Sequence, residues 1–225
     1  MKSVMEKAIC KAILSEEMAA ANLRDIAAAA PDCESRERAL ADAAEEARHA
    51  VALRRAALRD GLRVPAPDSD DMMDELRAAF QTLGDDGPAR SLAQDVLLEH
   101  VAIHLYEALL PAARLHAPTV ARVVEQILVE EREHVASAVS ELAQLPLRAR
   151  VRSFARAVGA LLPVLRKYGR VTPETACKKT CGACGDRCVR VDAEASGMPL
   201  RGGWRRLLTA TGTSLAGIGL ALPAR

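Results

Sequence analysis

Aromatic side chains are scarce: one Trp, two Tyr and two Phe amount to 2% of 225 residues. A core built on rings is therefore excluded. Half of the residues are still hydrophobic, so the interior must come from Ala, Leu, Val and Ile, the residues of closely packed helices. An all-helical protein is expected. A long apolar run is also missing, because the weakly polar stretch LLTATGTSLAGIGLALP is diluted by Thr, Ser and Gly. It falls short of the ~20 residues of a spanning helix and reads as a docking helix or a loose tail. The opening MKSVMEKAIC has neither the apolar centre nor the small-residue cleavage site of a signal peptide, so a cytoplasmic location is expected.

Acids are absent from Leu142 to Pro173, where Arg148, Arg150, Arg152, Arg156, Arg166, Lys167 and Arg170 accumulate beneath a net charge of only +1. This stretch could face an acidic partner or a membrane surface; a solvated helix face is the plainer reading. No specific nucleic-acid signal and no repeat of solenoid period stands out. Length allows one main domain, 1–170, and a smaller tail, 171–225.

Breaks at Ala30-Pro31-Asp32, from Gly61 through Asp71, from Gly84 through Pro88 and at Ala117-Pro118 divide the main domain. Four long helices result, about Lys2 to Ala29, Glu34 to Asp60, Ala89 to Leu115 and Pro118 to Leu145. The first two and the last two are joined by short loops and should be antiparallel neighbours. The middle connection runs for about thirty residues through VPAPDSDD and a short helical segment, DDMMDELRAAFQTLG. One long crossover between two helical hairpins predicts a ferritin-like four-helix bundle. A fifth helix, about Leu147 to Tyr168, has Leu147, Val151, Phe154, Val158, Leu161 and Leu165 on one stripe and Pro163 as an expected kink.

Two Glu-x-x-His motifs, Glu46-Ala-Arg-His49 and Glu131-Arg-Glu-His134, lie near the middles of the second and fourth helices. Residues three apart share a helix face, so each pair can offer an oxygen and a nitrogen to one metal. Either motif alone is weak. Winding each helix at about 100° per residue places Glu16 on the stripe of Met5, Ile9, Ala12, Ala19, Leu23 and Ile26, while Glu17 falls off it. Glu46 shares its stripe with Ala43, Ala50, Leu53 and Ala57. Glu99 lies among Leu92, Val96, Ile103, Tyr106 and Leu110, and Glu131 among Val120, Val124, Ile127, Ala138 and Leu142. Each apolar stripe thus carries one glutamate at mid-length.

A buried unpaired carboxylate costs several kcal/mol, so four of them require cations. Two divalent ions balance four carboxylates, and two imidazoles complete the shells. Mixed oxygen and imidazole donors suit iron or manganese; iron is the expected metal, with manganese open. His100 and His104 lie beside the Glu99 stripe, where packing or support of a ligand is expected in preference to ligation, and His116 is near a helix end. Tyr106 could donate an electron or a hydrogen bond near the metals, or be a core tyrosine. Ala19, Ala20, Ala50 and Ala138 could leave a substrate cavity or permit close packing.

These residues resemble the ferritin-like non-heme di-iron superfamily over roughly Met5 to Leu145. Within it, LLEHVAIHLYEALLP, VEEREH and AEEARHAVALRRAALRDGLRV are similar to the aldehyde-deformylating oxygenases, also called fatty aldehyde decarbonylases. The resemblance implies that Glu16, Glu46, His49, Glu99, Glu131 and His134 ligate two irons. It also implies a catalytic role for them, with Tyr106, in reductive activation of dioxygen. An organic, aldehyde-like substrate and an electron donor would follow. A ferroxidase, iron-handling or peroxide-scavenging protein is the alternative; an oxygenase should be a monomer or dimer, a storage protein a large shell.

Cys177, Cys181, Cys184 and Cys188 form C-x3-C-x2-C-x3-C in the tail. Four thiolates this close can hold zinc or an iron-sulfur cluster, or remain unliganded or redox-active thiols. A cluster there could pass electrons to the di-iron centre. Cys10 and Cys33 stand apart as core or loop residues.

Overall fold

Helices are the only regular elements among the described residues, 2–64 and 71–168 of the computed structural model. The chain runs through α1 (Lys2–Ala28), α2 (Cys33–Arg59), α3 (Asp71–Gln81) and α4 (Gly87–Ser91). A π-helical segment, Leu92–Leu98, leads into α5 (Glu99–His116), followed by α6 (Pro118–Ala143) and α7 (Leu147–Tyr168).

The boundaries have local causes. Asp32 caps α2 by accepting from the Ser35 N–H at 2.8 Å, which satisfies a backbone donor that the first turn leaves free. Gly61, at φ 68°, stops α2 and lets Leu62 N–H reach back to the Ala57 carbonyl. Asp60 then accepts from Thr119 and Val120 N–H at 2.9 Å each. It thereby fastens the end of α2 to the start of α6, where Pro118 occupies the first turn.

Two long helices, α1 and α2, pack along each other, as do α5 and α6; α2 also packs on α6 and α1 on α5. Cross-contacts give the directions. Arg38 near the start of α2 pairs with Glu141 near the end of α6, and Asn22 and Glu16 of α1 meet Gln94 and Tyr106 respectively. Neighbours in this ring are therefore antiparallel. The α2–α5 connection consequently returns from one end of the ring to the other. α3 and α7 pack together over the start of α4 and the π segment.

Two expectations need correction. The third long helix is interrupted by π-helical turns, which insert an extra residue per turn and leave six of the seven residues of that segment buried. In α7 Leu161 is buried and Phe154, Val158 and Leu165 pack against the core as expected, joined by Ser153, Ala157 and Val164, whereas Leu147 and Val151 are about half exposed. α7 rests mainly on α3, α4 and the π segment, and Leu147 and Val151 fall outside that contact. The apolar rod Gly87–His116 is long and apolar enough to cross a membrane, yet half of its most apolar window is buried against the other helices. The expected 171–225 tail lies outside the described residues.

Candidate metal centre

Two apolar clusters fill the interior. One is centred on Ile9, Leu53, Tyr106 and Ile127, the other on Phe80, Leu92, Val96 and Leu161. On α1 the passage from one cluster to the other falls at Glu16, and between the π segment and α5 it falls at Glu99. Glu131 is 0% exposed, Glu46 1%, Glu16 2%, His49 3% and Glu99 4%. The helical stripes thus carry these polar side chains into a buried layer, where little water is at hand to stabilise charge.

The layer converges. Donor atoms of Glu16, Glu46, His49 and Glu131 lie within 4.8 Å of one another, an arrangement that could hold a metal ion. His49 Nδ1 is 3.3 Å from Glu16 Oε2, 3.4 Å from Glu46 Oε2 and 3.4 Å from Glu131 Oε1. His134 Nδ1 is 3.3 Å from Glu46 Oε1 and 3.7 Å from Glu131 Oε2. Glu46 and Glu131 therefore each turn one oxygen to each imidazole. These are charge contacts and not aligned hydrogen bonds, because none of the four Glu46 and Glu131 oxygens has a hydrogen-bond partner. Glu99 borders Glu131.

Further residues hold these groups in place. His49 Nε2 is 2.6 Å from Glu130 Oε2, and His134 Nε2 is 3.9 Å from Glu45 Oε2. Each glutamate preceding a ligand glutamate thus reaches across to the other motif's histidine and leaves Nδ1 to face the layer. The Tyr106 hydroxyl donates to Glu16 Oε1. Gln94 Nε2 donates to Glu99 Oε1 at 2.9 Å, and Asn22 Nδ2 donates to Gln94 Oε1 at 2.7 Å. The π turns bring Gln94 onto Glu99 in this way. A carboxylate behind a ligating imidazole sets its tautomer and basicity. Accordingly, Glu130→Ala is expected to weaken metal binding about ten- to a hundredfold, measured by competition with a chelating indicator; an unchanged affinity would remove Glu130 from any such role.

Burial pushes Glu16 and Glu99 well above the usual carboxylate range, with Glu131 adding repulsion to both. Burial acts on Glu46 too, but His134 and His49 outweigh it and hold Glu46 low. For Glu131, burial is outweighed by Glu99, His134 and His49. Burial opposes the charged form of both histidines, yet the surrounding carboxylates raise His49 strongly and push His134 up to about 11. Tyr106 is raised well above its normal value by burial and by Glu16.

The donor set fits a metal. It consists of hard carboxylate oxygens and imidazole nitrogens, four of its oxygens lack any other partner, and burial penalises the charge they would otherwise bear. Two spaces adjoin it. One of about 10 Å³ lies between Glu16, Glu46 and Glu99 and is walled by Ala19 and Ala102. The other, about 150 Å³, opens beside Glu46, Glu99 and His134.

Of the six expected ligands, Glu16, Glu46, His49 and Glu131 come together in one group that could hold a metal ion, while His134 borders Glu46 and Glu131 and Glu99 borders Glu131 without joining that group. His100 is buried beside it and its pKa is lowered by burial, His104 sits 3.5 Å from Glu107, and His116 ends α5, so none of the three joins the cluster. Ala19, Ala50 and Ala138 are buried at close helix contacts, and Ala19 and Ala138 also line cavities. Cys10 is half-buried and Cys33 exposed; Cys177, Cys181, Cys184 and Cys188 lie outside the described residues. Spacing alone missed Glu45 and Glu130, although the doubled Glu-Glu-x-x-His pattern carried the signal. It also missed Asn22, Gln94, Asp42 and Asp95, whose roles depend on which helices meet. No protein-family model matches this sequence, and a search of curated proteins finds no significant match.

Proposed function

We propose that this protein is a non-heme di-iron oxidoreductase built on a ferritin-like four-helix bundle. The ring order α1, α2, α6, α5 with antiparallel neighbours supports that topology, because a simple up-down-up-down bundle would instead place α2 beside α5. The observation that carries the metal reading is the pair of buried carboxylates, Glu46 and Glu131, each turned toward both imidazoles without a hydrogen bond of its own. Glu16 and His49 would help hold one metal, Glu99 and His134 a second, and Glu46 and Glu131 would be available to either. Iron is favoured over manganese on the resemblance to aldehyde-deformylating oxygenases; thiolate-free nitrogen and oxygen donors accommodate either.

When bound, ferrous iron supplies electrons for the reduction of dioxygen, and an external donor restores them. The protein's residues do the rest. Glu130 and Glu45 orient the histidines, Tyr106 steadies Glu16, and the Asn22–Gln94 chain steadies Glu99. The apolar clusters on either side keep bulk water from the layer. The cysteine set Cys177, Cys181, Cys184 and Cys188 is proposed to hold zinc or an iron-sulfur cluster, the latter as a relay of electrons. Arg148, Arg152 and Arg166 of α7 are proposed to face an acidic partner, while Arg156 and Lys167 are paired with Asp86 and Glu75.

A second reading, in which iron itself is the substrate of a ferroxidase, is favoured by the small space of about 10 Å³ between the glutamates. One experiment separates the two. Protein loaded with ferrous iron without oxygen is mixed with dioxygen, and its visible spectrum and iron content are followed in wild type and Glu99→Ala. Two irons per chain and a transient oxygen-dependent band, both diminished in Glu99→Ala, are expected. Ferric iron accumulating beyond two per chain on repeated addition favours the second reading, and failure to bind iron or manganese at all ends both.

A further inference from the structure

α7 turns one side toward α3, α4 and the π segment and leaves the other to solvent. At about 100° per residue, the outward side carries Arg148, Arg152 and Arg166 in one sector, with Ala155 and Gly159 between them and Leu147 and Val151 along one edge. All three arginines are exposed, and none has an ion pair among the described residues. Arg156 and Lys167, at the other edge, are taken up by Asp86 and Glu75.

The sector is thus positive without compensation on its own helix, since no acid occurs from Leu142 to Pro173. The field is local, because the whole chain has a net charge of only +1. Single exposed apolar residues are ordinary on protein surfaces. Here, however, Leu147 and Val151, 54% and 48% exposed, are a helical turn apart beside two arginines a turn apart.

Charge decides among the candidates for this face. A second copy would bring the same arginines against their own kind in a two-fold contact. The chain's own weakly apolar segment is no better suited, for Pro199 to Arg225 contains four arginines and no acid. An acidic protein segment answers the guanidinium groups but not the apolar edge. An anionic bilayer answers both. Its phosphates meet the guanidinium groups at headgroup level, the aliphatic stems of the arginines lie along the interface, and Leu147 and Val151 reach the acyl boundary. The sector from Leu147 to Arg166 is also roughly 28 Å long, which suits a plane.

We infer that the outward face of α7 docks on an anionic lipid surface, with Arg148, Arg152 and Arg166 at the phosphates and Leu147 and Val151 in the acyl boundary. The docking does not rest on the metal reading, since none of these residues belongs to the metal layer. Each basic residue at an anionic surface contributes about fivefold in affinity, so three together contribute about a hundredfold.

The test is co-sedimentation of the full chain with vesicles of phosphatidylcholine, alone or with about a third of phosphatidylglycerol. Wild type is expected to prefer the anionic vesicles by about a hundredfold. Most of that preference should vanish between about 0.1 M and about 1 M salt, as the Debye length falls from about 10 Å to about 3 Å. R148Q/R152Q/R166Q should abolish it, whereas R24Q/R55Q/R122Q, which removes as many exposed arginines from α1, α2 and α6, should retain it. L147S/V151S should weaken binding to anionic vesicles about tenfold, with an unchanged circular dichroism spectrum. Equal sedimentation of wild type with both vesicles, or equal losses in the two triple variants, overturns the inference. So does binding to anionic vesicles that is indifferent to L147S/V151S and matched by soluble poly-L-glutamate, since the partner would then be an acidic protein. Two bound ions without vesicle binding defeat this docking alone, whereas vesicle binding by a chain that holds no metal defeats the di-metal reading alone.

Discussion

Glu131→Ala is expected to lose both metal ions, whereas Glu16→Ala and Glu99→Ala each lose one. The difference follows from where the oxygens point. Glu131 places Oε1 3.4 Å from His49 Nδ1 and Oε2 3.7 Å from His134 Nδ1, so its removal deprives both positions of a ligand. Glu16 lies 3.3 Å from His49 Nδ1, and Glu99 borders Glu131 and accepts from the Gln94 amide. Metal content after loading and dialysis reads the result directly. Thermal unfolding reads it a second way, because an ion at a hundred times its dissociation constant stabilises by about 2.7 kcal/mol. In a chain of this size that corresponds to roughly 5 to 10 °C. Wild type should show this shift on adding manganese, and Glu131→Ala should show none. Glu131→Gln keeps the side chain's shape and removes its charge, so it separates ligand loss from misfolding. Two ions retained in Glu131→Gln and Glu131→Ala would refute the shared role of this carboxylate.

Much of this arrangement could be read from the sequence because helical periodicity ties spacing to direction. A glutamate in register with Leu, Val and Ile must enter the core once the helix packs, and Glu16, Glu46, Glu99 and Glu131 all do. Glu17, one residue from Glu16, stays outside and pairs with Arg54. What spacing could not convey were the consequences of helices meeting. The π turns of Leu92–Leu98 have no local signature, since Leu, Ala and Val serve a π and an α turn equally well. Their effect appears only when Gln94 meets both Asn22 and Glu99, 72 and 5 residues away. The crossing of Glu130 to His49, over 81 residues, likewise needs the α2–α6 pairing. In α7 the apolar stripe packs inward from Phe154 to Leu165, while Leu147 and Val151 at its start stay about half exposed, outside the contact with α3, α4 and the π segment. An amphipathic pattern announces a buried face only as far as a partner extends.

Metal binding is expected to be coupled to proton release, at about two protons per divalent ion. In the metal-free protein the layer resolves its own charge. Glu46 and Glu131 are held low and ionised, and His49 and His134 are raised and protonated beside them. Burial and neighbouring charge keep Glu16 and Glu99 protonated well above the usual range. Four protons thus occupy the place of four positive charges, and two divalent ions exchange for them without changing the net charge of the layer. Two signs follow. A histidine with a raised pKa stabilises the metal-free fold fully below about 6.5, and that stability is lost as pH rises toward the folded value, about 11 for His134. Glu16 and Glu99, raised carboxyls, also favour the metal-free fold at lower pH and lose that contribution as pH rises above about 4.5. Protons compete with the ions, so affinity and the metal-induced thermal shift should both increase from pH 6 to pH 8. Calorimetric titration with manganese in two buffers of different ionisation enthalpy counts the released protons, and Glu16→Gln should lower that count by about one. Binding with no proton release, or affinity that falls as pH rises over this range, would mean that the metal-free layer is not held together by these four protons.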